Sequence, residues 1–267
     1  MRTSILFLTT AALIVPAFSA AEAAPARYRV SASSSDNKLD LTSHDGSNRS
    51  TRIKGKVRGG KVKGKKVYLY ASNTSAKNQK YRYIGSDKLS SSGRFDKRWK
   101  PKDGGTYIIK VVKRRGSNRA EGVDRTRVYV YQFTNLAKFD SNAANPSVRR
   151  VDKAGRAGGQ NWSTAYEIDG GATATFSTQG FECFRINFKI GVSDTAGGSG
   201  SYRIRQGGAT IKSGTLSRGD GFVEPTKTET KRMRAGQPVS VDVSGTTFIL
   251  GNPKAACTYP TRSTAVR

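Results

Sequence analysis

The chain has 267 residues, a formal net charge of +28 and only 35% hydrophobic residues. Its length predicts two domains, and its mean hydropathy of -0.57 predicts that their cores are small. The abundance of glycine favours short strands and many turns, and it argues against long helices.

Residues 1–23 have the pattern of a secretory signal peptide. Arg2 supplies the basic start, an apolar run follows from Ile5 to Phe18, and small residues around Ala20 offer cleavage sites. The alternative is a membrane anchor, but the apolar run is short for a membrane span and is broken by Pro16. We therefore expect a mature protein that is secreted or associated with the cell envelope and has no transmembrane segment.

Residues 24–48 are rich in serine, aspartate and asparagine and show no sustained period, which predicts a flexible linker. The one histidine of the chain, His44, lies here. A lone histidine in a linker is not expected to be catalytic.

Residues 49–135 carry short alternating patterns separated by turn residues, which predicts a β-sandwich of about six strands. The run Ser92-Gly93-Arg94-Phe95, followed by Gly105-Thr106-Tyr107-Ile108-Ile109-Lys110-Val111, resembles immunoglobulin-like modules of bacterial secreted and surface proteins. The resemblance implies a spacer or adhesive unit.

Charge is concentrated in this first module. Residues 45–135 hold 25 basic and 6 acidic residues, a net charge of +19. Because alternate residues of a strand share a face, we expect stripes of positive charge that attract anionic polymers. The alternative is a solvated face that serves only solubility. The candidate polyanion-binding residues are Lys54, Lys56, Arg58, Lys61, Lys63, Lys65 and Lys66.

Residues 136–263 contain the clearest strand of the chain. Apolar residues occupy every second position from Phe184 to Val192, which predicts a strand packed on one face. A Gly/Ser loop and a second alternating segment from Tyr202 follow, which favours a hairpin with a long connection. A second hairpin is predicted from Tyr166 to Phe176 around Asp169-Gly170-Gly171.

The same region carries a resemblance to a known family. The motifs are Gly191-Val192-Ser193-Asp194, Gln206-Gly207-Gly208, Ser213-Gly214-Thr215-Leu216 and the run from Val239 to Gly245. Together they resemble the NPCBM family of carbohydrate-binding modules. The resemblance implies a β-sandwich that binds glycans and performs no chemistry.

The two cysteines, Cys183 and Cys257, are predicted to form a disulfide, because an even cysteine count in an exported protein favours pairing. A metal site would need nearby histidines, which this sequence lacks, and free thiols are not expected outside the cell. The bond would close a loop of 74 residues.

Sugars present C–H faces that pack on aromatic rings, and Trp162 lies in a sequence typical of a loop. Trp162 is therefore either an exposed platform for sugars or a plug in the core. The candidate ligand-binding residues are Trp162, Tyr166, Tyr202 and Arg203. Asp194 ends the clearest strand and either caps a turn or binds calcium.

No motif for a catalytic nucleophile, a metal centre or a phosphate-binding loop occurs, so neither an enzyme nor a cofactor is predicted. The sequence predicts an all-β protein with two β-sandwich modules in tandem, which binds carbohydrate or an anionic polymer of the cell envelope. No stable nucleic-acid partner is predicted. The alternatives are a purely electrostatic binder, a structural surface protein, and a hydrolase or its accessory protein.

Overall fold

The computed structural model describes residues 25–42, 48–178, 180–224 and 237–260, and it is built of strands and turns. The strands are β1 (Arg29–Ser34), β2 (Lys38–Asp40), β3 (Thr51–Arg58), β4 (Lys66–Asn73), β5 (Arg82–Lys88), β6 (Arg94–Trp99), β7 (Gly105–Lys113), β8 (Gly122–Asn135), β9 (Val148–Arg150), β10 (Arg156–Ala157), β11 (Gln160–Asn161), β12 (Ala165–Ile168), β13 (Thr173–Phe176), β14 (Cys183–Val192), β15 (Ser199–Gln206), β16 (Ala209–Ser217), β17 (Val239–Ser244) and β18 (Phe248–Cys257). A short 3-10 helix spans Leu136–Phe139. No helix among these residues is long and apolar enough to cross a membrane.

A first β-sandwich is formed by two sheets that enclose one apolar core. One sheet has the order β1-β3-β6, and the other contains β5-β4-β7-β8. The alternation in the sequence decides the packing: on β3, Ile53 and Val57 face the core while Lys54 and Arg58 are exposed. Trp99, at the end of β6, closes the same core against Tyr107.

A second β-sandwich encloses a separate core. One of its sheets has the order β13-β17-β15-β16, and the other contains β14, β18, β12 and β9. Phe188, Ile190, Tyr202 and Phe248 are among the buried residues between the sheets. The prediction of an all-β protein built from β-sandwiches is confirmed.

The two sandwiches share a sheet. Strand β8 pairs with β7 along most of its length, and its last residues, Gln132–Asn135, pair with Lys254–Cys257 of β18. The result is a continuous sheet of order β5-β4-β7-β8-β18-β12-β9, with β14 on the other side of β18. Where the strands meet, the Tyr131 hydroxyl donates a hydrogen bond to Glu182 at 2.6 Å. Burial and this bond raise the pKa of Tyr131.

The prediction of a flexible linker at residues 24–48 is wrong for the described part. Strand β1 pairs with β3, and β2 pairs in parallel with β8. Leu39 is fully buried, and Val30 and Ala32 pack against the first core. These apolar residues are too few and too small to produce a clear strand pattern among serines. His44 and the predicted signal peptide lie outside the described residues.

Both predicted hairpins of the C-terminal region are wrong in the same way. Strand β14 pairs with β18, whereas β15 pairs with β16 and β17 in the opposite sheet. Likewise β12 pairs with β18 and β9, whereas β13 pairs with β17. In each case the connection crosses from one sheet to the other, so the apolar faces of consecutive strands meet across the core.

Candidate functional site

The outer face of the three-stranded sheet in the first sandwich is strongly basic. Alternate residues on β1, β3 and β6 point away from the core. We call them the basic face, which consists of Arg29, Arg52, Lys54, Lys56, Arg58, Arg94 and Arg98. Asp96 is the one acidic residue among the outward positions of β3 and β6, and it is paired with Arg52 at 2.7 Å.

Like charges stand opposite each other across this face. The register places Lys56 opposite Arg94, Arg52 opposite Arg98 and Arg58 opposite Arg29. Directly opposed residues on paired strands have Cβ atoms about 5 Å apart, and like charges there destabilise the sheet. An anion bound across the face would relieve this repulsion.

The predicted polyanion-binding residues divide into three groups. Lys54, Lys56 and Arg58 share the basic face, as their alternation on a strand predicts. Lys61, Lys63 and Lys65 do not form a strand stripe, because they lie in the connection between β3 and β4. Lys66 begins β4 in the opposite sheet.

The aromatic residues predicted to bind ligand are buried, and this corrects the expected platform. Trp162 is 6% exposed and packs against Phe222, with ring centroids 5.8 Å apart. Its neighbours in this small cluster are apolar, among them Ala165 and Ile249. The sequence around Trp162 is typical of a loop, and it did not indicate that the ring points inward and packs on β18.

Tyr166 and Tyr202 are also buried. Tyr166 is 1% exposed, packs edge-on against Phe176 and donates a hydrogen bond to Asp140 at 2.9 Å. Burial and that bond raise the pKa of Tyr166. Tyr202 is 4% exposed and lies against Phe248. Three buried rings cannot form an exposed stacking surface.

Arg203 alone among the four predicted ligand-binding residues is exposed, and it lies in a groove. The groove has a volume of about 570 Å³ and runs over the outer face of the four-stranded sheet. We call it the polar groove; it is lined by Thr173, Ser201, Tyr202, Arg203, Arg205, Ser213, Gly214, Thr215, Asp242, Val243 and Ser244.

The polar groove holds donors and acceptors side by side. Asp242 forms an ion pair with Arg205 at 2.7 Å and accepts a hydrogen bond from Thr173 at 2.9 Å. The Ser201 and Ser244 hydroxyls lie 2.7 Å apart. The Arg203 side chain, by contrast, forms no ion pair or hydrogen bond with the side chains of the described residues. Its guanidinium is therefore available to an incoming acceptor.

The predicted disulfide is confirmed. Cys183 and Cys257 are bonded and face each other in the β14–β18 ladder. Their Cα atoms are 4.0 Å apart, and both residues are buried. The bond thus joins two neighbouring strands at the end of their pairing.

Asp194 holds a loop in place. Its carboxylate accepts a hydrogen bond from the backbone N–H of Gly159 at 3.0 Å, which ties the turn between β10 and β11 to the end of β14. Within the described ranges, no group of three or more histidine, cysteine, aspartate or glutamate side chains could hold a metal ion.

Comparison with known proteins yields little. No family model matches the chain, and no curated protein matches it. Among solved structures, the FN1–FN3 domains of chicken CNTN1 align with 87% of this chain at 11% identity and a TM-score of 0.25, but this chain covers only 65% of theirs. The SusE-like protein BT2857 aligns with 84% of this chain, with 97% of its own length covered, at 8% identity and a TM-score of 0.19. Neither likeness is close enough to carry an argument about this chain.

Proposed function

We propose that this protein is a secreted, non-catalytic binding protein that holds an anionic polymer of the cell envelope on its basic face. The observation that carries the proposal is the set of opposed like charges on β1, β3 and β6. A sheet that served only solubility would gain nothing from pairing cation with cation, whereas a polyanion would neutralise both members of each pair and release counterions.

The disulfide bond of the chain supports an exported location. Disulfides persist in oxidising compartments and are rare in the cytosol. A disulfide between Cys183 and Cys257 therefore agrees with the signal peptide proposed for residues 1–23. We propose that the basic module spans residues 49–135 together with β1 and β2, and that the second module spans residues 136–263.

The test compares two triple variants with equal changes in charge. The first variant reverses the charges at the centre of the basic face and carries Lys54→Glu, Lys56→Glu and Arg94→Glu. The control variant reverses three exposed cations of the second sandwich and carries Lys153→Glu, Arg218→Glu and Lys254→Glu. We expect the first variant to bind heparin much more weakly than wild type and with a shallower dependence on salt, because fewer counterions are released. Equal losses in the two variants would show that net charge alone binds the polymer.

The polar groove supports a second candidate function, the binding of a saccharide. Sugar hydroxyls both donate and accept hydrogen bonds, and the groove offers the Asp242 carboxylate, several hydroxyls and the unpaired guanidinium of Arg203. The resemblance to carbohydrate-binding modules, which no family model supports, points to the same activity.

We expect Arg203→Ala to abolish binding on a glycan array at both low and high salt, because a neutral saccharide bound through hydrogen bonds is insensitive to screening. The matched control is Arg218→Ala, an exposed arginine outside the groove. If Arg203→Ala kept every glycan signal, the polar groove would not be the glycan-binding site.

A further inference from the structure

A second groove opens at the edge of the first sandwich and adjoins the basic face, with which it shares Arg98. It has a volume of about 700 Å³ and lies between the edge strand β5 and the segment that leads from β6 to β7. We call it the edge groove; it is lined by Ala71, Asn73, Ala76, Asn78, Lys80, Arg82, Tyr83, Ile84, Arg98, Trp99, Lys100, Pro101, Lys102, Asp103 and Tyr107.

The edge groove carries cations on both walls. Lys80 and Arg82 lie on the side of β5, and Arg98, Lys100 and Lys102 lie on the side of β6. All five side chains are exposed, and none belongs to an ion pair between described residues. The groove thus presents two rows of positive charge to any chain that lies in it.

Exposed tyrosine rings accompany these charges. Tyr81 and Tyr83 expose 42% and 58% of their surface, and no other large hydrophobic side chain is exposed in the part of the chain that the structure describes. Tyr83 lines the edge groove, and its ring meets Tyr70 edge-on with centroids 5.7 Å apart. Tyr81 lies outside the lining, with Lys110 Nζ 5.5 Å from its ring centroid. An exposed ring beside cations is suited to stacking a flat ligand ring.

The hydrogen-bonding groups of the edge groove distinguish between polymers. Lysine and arginine only donate hydrogen bonds. Asp103, the one carboxylate of the groove, already accepts from Gln132 at 2.7 Å and from the backbone of Gly104 at 3.0 Å. The Asn73 amide oxygen accepts from the backbone of Ser75. Asn78 and the hydroxyls of Tyr83 and Tyr107 remain as further side-chain acceptors in the lining, against five cations that only donate.

A polysaccharide brings many hydroxyl donors, for which this groove has few acceptors. The DNA backbone brings phosphate oxygens, which only accept, together with flat bases that stack on aromatic rings. We propose that the edge groove binds single-stranded DNA, with phosphates on the two rows of cations, one base on Tyr83 of the lining and a further base on the exposed Tyr81 just outside it. This site shares only Arg98 with the basic face and extends the proposed partners to nucleic acid.

The experiment measures fluorescence anisotropy of a labelled oligothymidine of about 16 nucleotides, the upper end of the length that single-strand-binding folds cover. The full-length mature protein carries Tyr81→Ala and Tyr83→Ala, both at exposed positions. We expect the affinity to fall about tenfold or more, given the usual contribution of one stacked base. The variant Tyr81→Phe with Tyr83→Phe keeps both rings and is expected to bind like wild type.

An abasic oligonucleotide of the same length separates stacking from charge. It should bind wild type and the double alanine variant equally, whereas Lys80→Glu with Lys100→Glu should weaken both oligonucleotides. An unchanged affinity of the alanine variant for oligothymidine would overturn the proposal. So would a heparin affinity that falls as much as the oligothymidine affinity in that variant, because the rings would then recognise sugar. The basic-face variant leaves the shared residue Arg98 unchanged and therefore tests the other site.

Discussion

At the scale of single residues, the most informative position is Trp162. Its ring lies directly over Gly251 of β18, where an added Cβ would come within 2.3 Å of the indole. The ring therefore occupies the space that a side chain at position 251 would take. A tryptophan in a glycine-rich loop has the same sequence pattern whether it points to solvent or to the sheet, so its role was beyond prediction from sequence.

We expect Trp162→Ala to lower the free energy of unfolding by about 3–5 kcal/mol, the usual cost of truncating a large buried aromatic. Chemical denaturation followed by circular dichroism measures this directly. Tyr83→Ala is the matched control, since it truncates an exposed ring whose edge-on contact with Tyr70 is worth about 1 kcal/mol at most. A Trp162→Ala protein of wild-type stability would mean that the ring does not support the sheet.

At the scale of elements, the sequence predicted strands well and their partners poorly. Alternation decides which side chains of a strand face the core, as on β14, where Ile186 and Phe188 are buried. It does not decide which strand lies alongside. A hairpin and a crossing between sheets both bury the apolar faces of consecutive strands, so both hairpin predictions were wrong although the strands were right.

The disulfide also acts at this scale, because it closes the β14–β18 ladder. Its 74-residue loop gives a stabilisation of roughly 4 kcal/mol in the chain-entropy model. We expect reduction to lower the free energy of unfolding by about 2–5 kcal/mol, measured by urea denaturation with and without reductant. Identical denaturation curves would mean that strand pairing already restricts the chain as much as the bond does.

At the scale of the whole molecule, the charge surfaces depend on the arrangement of strands. The stripe of Lys54, Lys56 and Arg58 followed from alternation alone, but Arg29 and Arg94 join it only through register. The edge groove likewise combines residues from β4, β5 and the β6–β7 segment. Net charge predicted a polyanion site, whereas the shape of the proposed surface depends on pairings between strands distant in sequence.

The sheet shared by the two sandwiches links the two candidate binding surfaces. Since β8 belongs to one sheet that runs through both sandwiches, the basic face and the polar groove are connected by continuous strand pairing. A polymer long enough to reach from one to the other would meet the second surface as an intramolecular event, at high effective concentration. Oligomers too short to reach both surfaces would gain no affinity from the second one. With both surfaces binding as proposed, we expect the protein to favour long polymers over their fragments.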